Sequence, residues 1–391
     1  MRFPKKLFVF ALLILAATFC QAQESARNWD ELLSRTEGWL GADGIYSLDL
    51  DFDSESSIFK TGASQDSFKL FWFSDTICGQ TRKKGAEYGK FQMVNHSFAI
   101  LQGLEPHQGS VEFFYQRDPQ SAKSENIIDG HYWLQDGIRY GDVLWISAIL
   151  VGNAWKPERV DAVTIAVNPE TGLPDFSDIV IDDTAPLSFK TDDEQVVWGA
   201  AINDESEQEY IYIYGYVDRL KERSRKDMVA ARVLRKSFLD YDKWQYFDGD
   251  SWTNDPREIL KKKATIVQAV SAEYSVSKIP LGINQGKYLL VYTPYVIGER
   301  IAFRVGDTPF GPFGKETVFY KSDVPQDVRG VYCYNAKAHS VFANNDGILV
   351  SYNVNRLGEL PRKPEEYRPR FVWLKWDSVN VEPSSQNMSE N

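Results

Sequence analysis

Short apolar runs rich in aromatic and β-branched residues recur along this chain over residues 45–376. Most runs have the length of one β-strand and stop at Gly, Asp, Asn or Pro, residues that end strands. One early segment, residues 28–39, has helical periodicity instead, because Trp29, Leu32 and Leu40 fall on one face. The pattern predicts an all-β chain with one short helix near its start.

The runs fall into five sets of three or four predicted strands. The sets cover residues 45–115, 131–181, 196–246, 266–320 and 331–376. Such a repeat is typical of the blades of a β-propeller, whereas a sandwich of two sheets is the alternative.

The first predicted strand of each set carries a polar or hydrogen-bonding side chain within an otherwise apolar stretch. These side chains belong to Asp43, His131, Trp198, Glu273 and His339. In a propeller the first strand of each blade lines the central channel, so the five side chains would converge there. A sandwich offers no such explanation, and the sequence therefore predicts a five-bladed β-propeller over residues 41–377.

The two ends of the chain differ in composition from this domain. Three basic residues precede an apolar run at 7–19 that is too short to span a bilayer comfortably, which is typical of a secretory signal. We expect cleavage after Ala22 and a periplasmic or secreted protein, with residues 23–40 as a helix and linker. Lipid attachment at Cys20 is the less favoured alternative, because bulky Phe19 precedes it. The polar tail, residues 378–391, is expected to be disordered.

The chain is acidic, with 44 Lys and Arg against 55 Asp and Glu and a formal net charge of −11. Removal of the signal takes away three positive charges and leaves −14. This charge argues against a nucleic-acid or anionic-membrane partner, and no later segment is apolar enough to cross a membrane. It fits an exported protein with a neutral or cationic ligand, although it fits mere solubility as well.

Cysteine and histidine are too scarce for a dedicated zinc site, and the chain has no phosphate-binding glycine loop or dinucleotide-binding motif. We expect no cofactor, although a structural ion in the central channel stays open. After cleavage the remaining cysteines are Cys78 and Cys333. Two separate buried thiols are favoured over a disulfide, because a large core does not need the crosslink.

Two aspartates are the first candidates for catalysis. Asp43 lies in a Gly-Ala-Asp-Gly turn before the first inner strand, and Asp75 ends the second strand of the same set. Two carboxyls at one channel mouth can hydrolyse a glycosidic bond, one as acid and the other as base or nucleophile. The structural alternative is that each aspartate stabilises a tight turn.

Other residues on or beside the inner strands could support these acids. Glu273, in a strand of small and β-branched residues, is either a third catalytic acid or a paired inward-facing residue. The candidate ligand-binding residues are Asp136, His131, Trp133, Trp198, Tyr274, Asn335 and His339. Aromatic rings can stack on the apolar face of a sugar, but they also fill propeller blades. A core histidine or an Asp-Gly turn is the corresponding alternative for the polar members.

Motifs in every set resemble exported bacterial proteins grouped as domain of unknown function 4185 and the related group 5005. The motifs are Asp43-Gly44, Phe73-Ser74-Asp75-Thr76, Trp198-Gly199-Ala200-Ala201, Tyr212-Ile213-Tyr214-Gly215, Ala231-Arg232-Val233, Glu273-Tyr274-Ser275-Val276, Gly311-Pro312-Phe313 and Tyr334-Asn335-Ala336-Lys337-Ala338-His339. The resemblance implies a five-bladed propeller and a relation to the endo-D-arabinanases of glycoside hydrolase family 183. It also implies that Asp43 and Asp75 match the catalytic acids.

The chain departs from that pattern at Ser74, where the family has Gly, and in a longer polar stretch at residues 53–66. The sequence thus predicts a glycoside hydrolase with a carbohydrate substrate, of unknown oligomeric state. A carbohydrate-binding propeller without catalysis is the alternative. Hydrolysis requires the two carboxyls about 5–9.5 Å apart at the mouth, whereas a binding module does not.

Overall fold

The computed structural model describes residues 26–50, 67–116, 126–205, 208–221, 225–322, 330–356, 361 and 363–379. The predicted signal (residues 1–22), Cys20, the polar stretch at 53–66 and residues 380–391 of the tail lie outside these ranges. Strands dominate the described residues, which confirms the all-β prediction.

Helices in the described part of the chain are short. The α-helices are α1 (Arg27–Leu32) and α2 (Glu258–Lys262). Single 3₁₀ turns occur at Gln108–Ser110, Asn153–Trp155, Arg235–Ser237, Tyr241–Lys243, Ser340–Phe342, Pro364–Glu366 and Trp376–Val379. The helix predicted over residues 28–39 ends at Leu32, because Gly38 has a left-handed φ of 74° and Trp39 and Leu40 join a strand.

The first seven strands form two antiparallel sheets rather than one. They are β1 (Glu37–Ala42), β2 (Tyr46–Asp49), β3 (Phe68–Phe73), β4 (Thr76–Arg82), β5 (Glu87–Val94), β6 (Ser97–Gln102) and β7 (Val111–Phe114). Sheet 1 has the order β2-β3-β6-β7, and a side sheet has the order β1-β4-β5. The sequence predicts one strand over residues 91–101, but this apolar run contains parts of two strands, β5 and β6, which belong to different sheets. The chain changes sheet at buried His96, whose Nε2 accepts the Ile128 N–H at 2.8 Å.

Sheets 2 and 3 follow in the chain. Their strands are β8 (Tyr132–Tyr140), β9 (Val143–Val151), β10 (Pro157–Val167), β11 (Pro174–Asp182), β12 (Ser188–Lys190), β13 (Glu194–Asn203), β14 (Tyr210–Arg219), β15 (Lys226–Leu234), β16 (Gln245–Phe247), β17 (Trp252–Thr253) and β18 (Val267–Val270). Sheet 2 has the order β11-β10-β9-β8. Sheet 3 runs from β12 to β17 in chain order, with β18 paired to β15.

Sheets 4 and 5 complete the described structure. Their strands are β19 (Tyr274–Lys278), β20 (Tyr288–Tyr292), β21 (Ile297–Gly298), β22 (Arg300–Gly306), β23 (Thr317–Lys321), β24 (Val331–His339), β25 (Gly347–Arg356) and β26 (Pro369–Lys375). Sheet 4 has the order β19-β20-β22-β23, and sheet 5 has the order β21-β24-β25-β26.

The numbered sheets meet through their inner strands. Strand β2 contacts β8, β8 contacts β13, β13 contacts β19, and β19 contacts β24. Sheet 5 returns to sheet 1 through a 2.8 Å hydrogen bond between Ser47 Oγ and His339 Nδ1, and it meets the side sheet through Asn353 Nδ2, which donates to the Ala42 carbonyl at 3.1 Å. The inner strands thus follow one another in a closed succession.

The core lies between the faces of neighbouring sheets. Strands β14 and β25 are buried on both faces over most of their length, since each has a sheet on either side. Trp145, Trp198 and Tyr214 have no more than trace exposure and belong to one apolar cluster that joins sheets 2, 3 and 4. Burial of this much aromatic surface stabilises the contacts between sheets and holds the inner strands in place.

Candidate active site

Asp43 and Asp75 lie where two strand pairs change sheet at the same place. Strand β1 pairs with β4 in the side sheet, and β2 pairs with β3 in sheet 1. Residues 43–45 connect β1 to β2, and Ser74 and Asp75 connect β3 to β4. The Asp43 N–H donates to the Asp75 carbonyl at 3.2 Å, and the Ser74 N–H donates to the Asp43 carbonyl at 2.8 Å. These two bonds fix the two aspartates side by side.

Gly44 makes this crossing possible. Its φ is +58°, and a Cβ at this position would lie 2.7 Å from Ser74 Oγ and 3.3 Å from Glu273 Oε1. Because side chains of L-residues are strained in this conformation and the space is filled, glycine is required beside Asp43. The Ser74 side chain fits here because residue 44 has no side chain.

We expect Gly44→Ala to lower both the free energy of unfolding and any catalytic activity. Gly141 is a matched control, since its φ is +61° but a Cβ there would meet nothing within 4 Å. Both variants should lose about 1 kcal/mol from the left-handed backbone, and only Gly44→Ala should also displace Asp43. Urea unfolding and rate measurements on both variants test this; equal effects would show that the contact with Ser74 is unimportant.

Asp43 is partly exposed and is held by two tyrosines. Tyr334 Oη donates to Asp43 Oδ2 at 2.7 Å. Burial of the carboxyl raises the pKa of Asp43 to about 8, and the neighbouring Asp75 and Glu273 carboxylates raise it further, against the hydrogen bonds from Tyr334 and Tyr367. Asp43 therefore holds its proton at neutral pH, which suits a general acid.

Asp75 has a different environment. It is 8% exposed, and its Oδ2 accepts the indole N–H of Trp133 at 3.2 Å. Its Oδ1 lies 3.5 Å from Nε2 of His131, too far for a good hydrogen bond. Tyr367 Oη donates to its carbonyl at 3.2 Å. The indole of Trp133 is thus the side-chain donor that orients this carboxyl.

Glu273 lies in a second crossing between sheets, after β18 of sheet 3 and just before β19 of sheet 4. It forms a buried ion pair with Lys337 Nζ, and Asn335 Nδ2 donates to its Oε1 at 2.8 Å. Burial raises the pKa of Glu273 and lowers the pKa of Lys337, and each partner opposes the shift of the other. The ammonium also lies 3.9 Å from the ring centre of Tyr46.

A bulge in β24 places both partners of Glu273. The register with β25 shifts between Tyr334 and Lys337, and Asn335 has a φ of +57°. The extra residues turn the Asn335 and Lys337 side chains toward Glu273 while Tyr334 reaches Asp43. The irregular strand β24 therefore supplies hydrogen-bond and ion-pair partners to both Asp43 and Glu273.

Asp136 lies in a similar bulge of β8, where the register with β9 shifts between Leu134 and Gly137. Its two oxygens accept the main-chain N–H groups of Gly137 at 2.9 Å and Ile202 at 2.7 Å. Burial raises the pKa of Asp136 to about 7. These two backbone bonds join sheets 2 and 3 through Asp136, and the ligand contact expected of it from the sequence stays a prediction.

Three other candidates from the sequence are buried in the interior of the protein. Trp198 and Tyr274 have no exposed surface; the first packs on Tyr246, and the second donates its hydroxyl to the Gly215 carbonyl at 2.6 Å. His339 is 2% exposed, and its ring nitrogens lie 2.8 Å from the hydroxyls of Ser47 and Ser351. Burial lowers the pKa of His339 to about 3, so it is neutral. None of the three residues is more than 2% exposed, so the structure gives no support to the ligand contact expected from the sequence.

The five side chains expected on the first strand of each set do not all lie within those strands. Trp198 and His339 lie within β13 and β24, whereas Asp43, His131 and Glu273 directly precede or approach the first strands of their sheets. The physical reason is that the chain leaves one sheet and enters the next at residues 43 and 273, so these two acids lie in crossings and not in strands. His131 and Trp133 are half-buried beside Asp75.

Sequence reasoning missed several residues that contact the three acids or the rings beside them: Tyr367, Lys337 and Trp155. Lys337 could have been found, because a lysine inside the apolar run at 331–342 needs a buried partner. Tyr367 and Trp155 have no such local signal, since each reaches the site from a loop or 3₁₀ turn remote in sequence.

Other features of the described residues bear on the sequence predictions. Cys78 and Cys333 are separate buried thiols, as favoured, and burial raises the pKa of both to about 12. In the described ranges, no three side chains of His, Cys, Asp or Glu are grouped to hold a metal ion. The same ranges contain no helix with the length and apolarity to cross a membrane.

Comparison of the fold with solved structures shows similarities at low sequence identity. A protein from Bacteroides ovatus, provisionally described as a hydrolase, is 17% identical, with a TM-score of 0.68 over 92% of both chains. The catalytic domain of the Coprinopsis cinerea family 62 α-L-arabinofuranosidase has 7% identity and a TM-score of 0.43, over 88% of this chain and 99% of that one. The exo-β-1,3-galactanase of Phanerochaete chrysosporium has 11% identity and a TM-score of 0.41, over 90% of this chain and 64% of that one.

Sequence comparison gives a family but no characterised relative. No curated protein matches the chain. The family model described as domain of unknown function DUF5005 matches residues 26–376, which include all the side chains of the site. The chain therefore belongs to the DUF5005 family.

Proposed function

We propose that this chain is a glycoside hydrolase built on a five-bladed β-propeller over residues 41–377, with Asp43 and Asp75 as its catalytic pair. The observation that carries the proposal is the pairing of two carboxyls at one sheet crossing in different environments. Asp43 is held protonated by burial and neighbouring charge, and Asp75 accepts an indole N–H. Two carboxyls with divergent surroundings are the requirement for acid and base chemistry on one bond. The closed succession of five inner strands supports the propeller.

Asp43 acts as the general acid. Its proton passes to the glycosidic oxygen as the bond to the anomeric carbon breaks, and Tyr334 Oη orients the carboxyl through its bond to Oδ2. Asp75 acts on the other side of the sugar, either as a base that activates water or as a nucleophile at the anomeric carbon. The N–H of Trp133 stabilises the Asp75 carboxylate before the reaction.

Glu273 raises the pKa of the acid rather than touching the substrate. Its Oε2 and Oε1 are occupied by Lys337 and Asn335, so neither is free to transfer a proton. Its charge is one of the causes that hold the proton on Asp43. We propose it as a positioning residue.

We expect Glu273→Gln to shift the alkaline limb of the activity profile to lower pH. The acid works only while Asp43 is protonated, so activity falls as pH rises through the pKa near 8. Loss of the neighbouring negative charge, with Lys337 left positive, lowers that pKa. Measurement of kcat/KM against pH, at a temperature where both proteins are folded, tests this. An alkaline limb in the same place would remove Glu273 from the role.

The test of the proposed function is a screen of the purified protein on neutral and acidic glycans with detection of new reducing ends. The Asp43→Asn variant, purified in the same way, controls for a contaminating hydrolase. Release by the wild type alone supports the proposal. If glycans bind but no reducing ends appear, the protein is a carbohydrate-binding propeller, an alternative favoured by the exposed ring of Trp155 beside the site.

We also propose that residues 1–22 are a secretory signal and that the protein acts outside the cytoplasm. The support is the basic start and the apolar run at 7–19. N-terminal sequencing of exported protein should begin near Gln23. Recovery of a chain that begins at Met1 outside the cell, or of one acylated at Cys20, would replace this proposal.

A further inference from the structure

Trp155 is an exposed tryptophan in an unfavourable backbone conformation. It ends the 3₁₀ turn Asn153–Trp155, is 62% exposed, and has a φ of +57°. A large apolar ring is normally buried, and a left-handed backbone is uncommon for a residue with a bulky side chain. Strained residues that persist on a surface occur preferentially at binding sites.

The ring of Trp155 leads directly to the candidate catalytic pair. It stacks on Trp133, with ring centres 6.4 Å apart and planes inclined by 14°, and it meets the edge of His131 at 5.3 Å and 89°. Trp133 in turn donates its N–H to Asp75. One indole face is covered by Trp133 and the other is open, so Trp155 forms the outer end of an aromatic stack that begins at Asp75.

His131 lies below this stack and next to the carboxylate. Its Nε2 and the Asp75 Oδ1, 3.5 Å apart, have no hydrogen-bond partner within the described residues, although both atoms are buried. Catalytic hydrogen bonds are often long without ligand and shorten in the complex.

The charges around the pair select the kind of ligand. Carboxyls of Asp43, Asp75 and Glu273 gather here, and the nearby cation, Lys337, is buried and already paired with Glu273. A glycan with a carboxylate on each sugar would be partly desolvated beside Asp75 without a counter-charge from Lys337, which is unfavourable. An uncharged sugar avoids this cost and offers an apolar C–H face to the indole.

We propose that the open face of Trp155 is a sugar-stacking subsite beside Asp75 and that it binds an uncharged furanose or pyranose ring. This inference rests on the proposed function for the nature of the ligand, but binding at the subsite does not require turnover. Trp155 determines the affinity and the specificity of this subsite.

The experiment measures binding by calorimetry in the Asp43→Asn background, which prevents turnover. The probes are neutral oligosaccharides of arabinose, galactose and xylose, and an oligogalacturonide of equal length. Trp155→Ala should weaken binding of the preferred neutral probe about tenfold, since a buried indole face is lost, and Trp155→Phe should recover part of it. The neutral probe should also change the tryptophan fluorescence of the parent protein much more than that of Trp155→Ala.

Ile283→Ala is the matched control. Ile283 is 77% exposed on the loop after β19, beyond the end of the strand that is remote from Glu273, so its loss should not change binding. Equal affinity of Trp155→Ala and its parent, tighter binding of the oligogalacturonide, or no binding of any neutral probe would each overturn the inference. Binding that depends on Trp155, without turnover by the wild type, would support the subsite and contradict the proposed hydrolase function. Wild-type turnover together with binding that does not depend on Trp155 would support the hydrolase and overturn the subsite.

Discussion

Asp43→Asn and Asp75→Asn should each reduce turnover of a glycan substrate by about 10²–10⁴-fold or more while the protein stays folded. Asparagine keeps the shape of the side chain, and at residue 43 it still accepts from Tyr334, but it cannot release or take up the catalytic proton. Asp75→Asn also removes the charge that would activate water or attack the anomeric carbon. The measurement is kcat on the substrate found in the glycan screen, with melting temperature as the check on folding.

Asp175→Asn is the matched control for these two variants. Asp175 is exposed in β11, where it accepts hydrogen bonds from Ser177, and it lies on the strand of sheet 2 farthest from the inner strand. The same chemical change there should leave turnover at the wild-type value. Full activity in Asp43→Asn or in Asp75→Asn would remove that residue from the mechanism and transfer the reaction to another pair.

The order of strands could be read from the sequence because the strand signal is local. Runs of aromatic and β-branched residues predicted sheets 2 to 5 with nearly the observed membership. The side sheet was not predicted, because its strands alternate in the chain with those of sheet 1 and nothing in a run says which neighbour it pairs with. The long run at 266–276 hides a crossing for the same reason, and Glu273 lies in that crossing rather than in a strand.

In the candidate site, too, local features could be predicted from the sequence and contacts with distant segments could not. Asp43 and Asp75 could be singled out because a carboxyl beside an apolar run needs a partner or a task. The direction in which a side chain points could not, so Trp198 and His339 were expected in a channel but lie in packed interfaces between sheets. Contacts made by distant segments, such as that of Tyr367 with the Asp75 carbonyl, depend on the complete fold.

The second large effect expected is a loss of stability in Lys337→Met. The Lys337 side chain is almost fully buried and is paired with Glu273, whose only charged partner in the described contacts is this ammonium. Methionine fills a similar volume but leaves the Glu273 carboxyl buried without its counter-charge. Removal of one member of a buried pair typically costs about 3–5 kcal/mol, and we expect a loss of this size in the free energy of unfolding from urea titration.

The double variant Lys337→Met with Glu273→Gln separates charge from packing. If the unpaired Glu273 carboxylate causes the loss of stability, removal of its charge should restore a large part of that loss. The amide oxygen of the glutamine can still accept the hydrogen bond from Asn335. Lys83→Met is the surface control, because the Lys83 side chain is exposed and pairs with Glu87 four positions further along the chain; its unfolding free energy should be nearly unchanged. A single variant as stable as the wild type, or a double variant less stable than Lys337→Met, would show that the pair does not hold sheets 4 and 5 together at the site. Recovery in the double variant, with the alkaline limb of activity still displaced, would instead assign the pair to tuning Asp43 and not to stability alone.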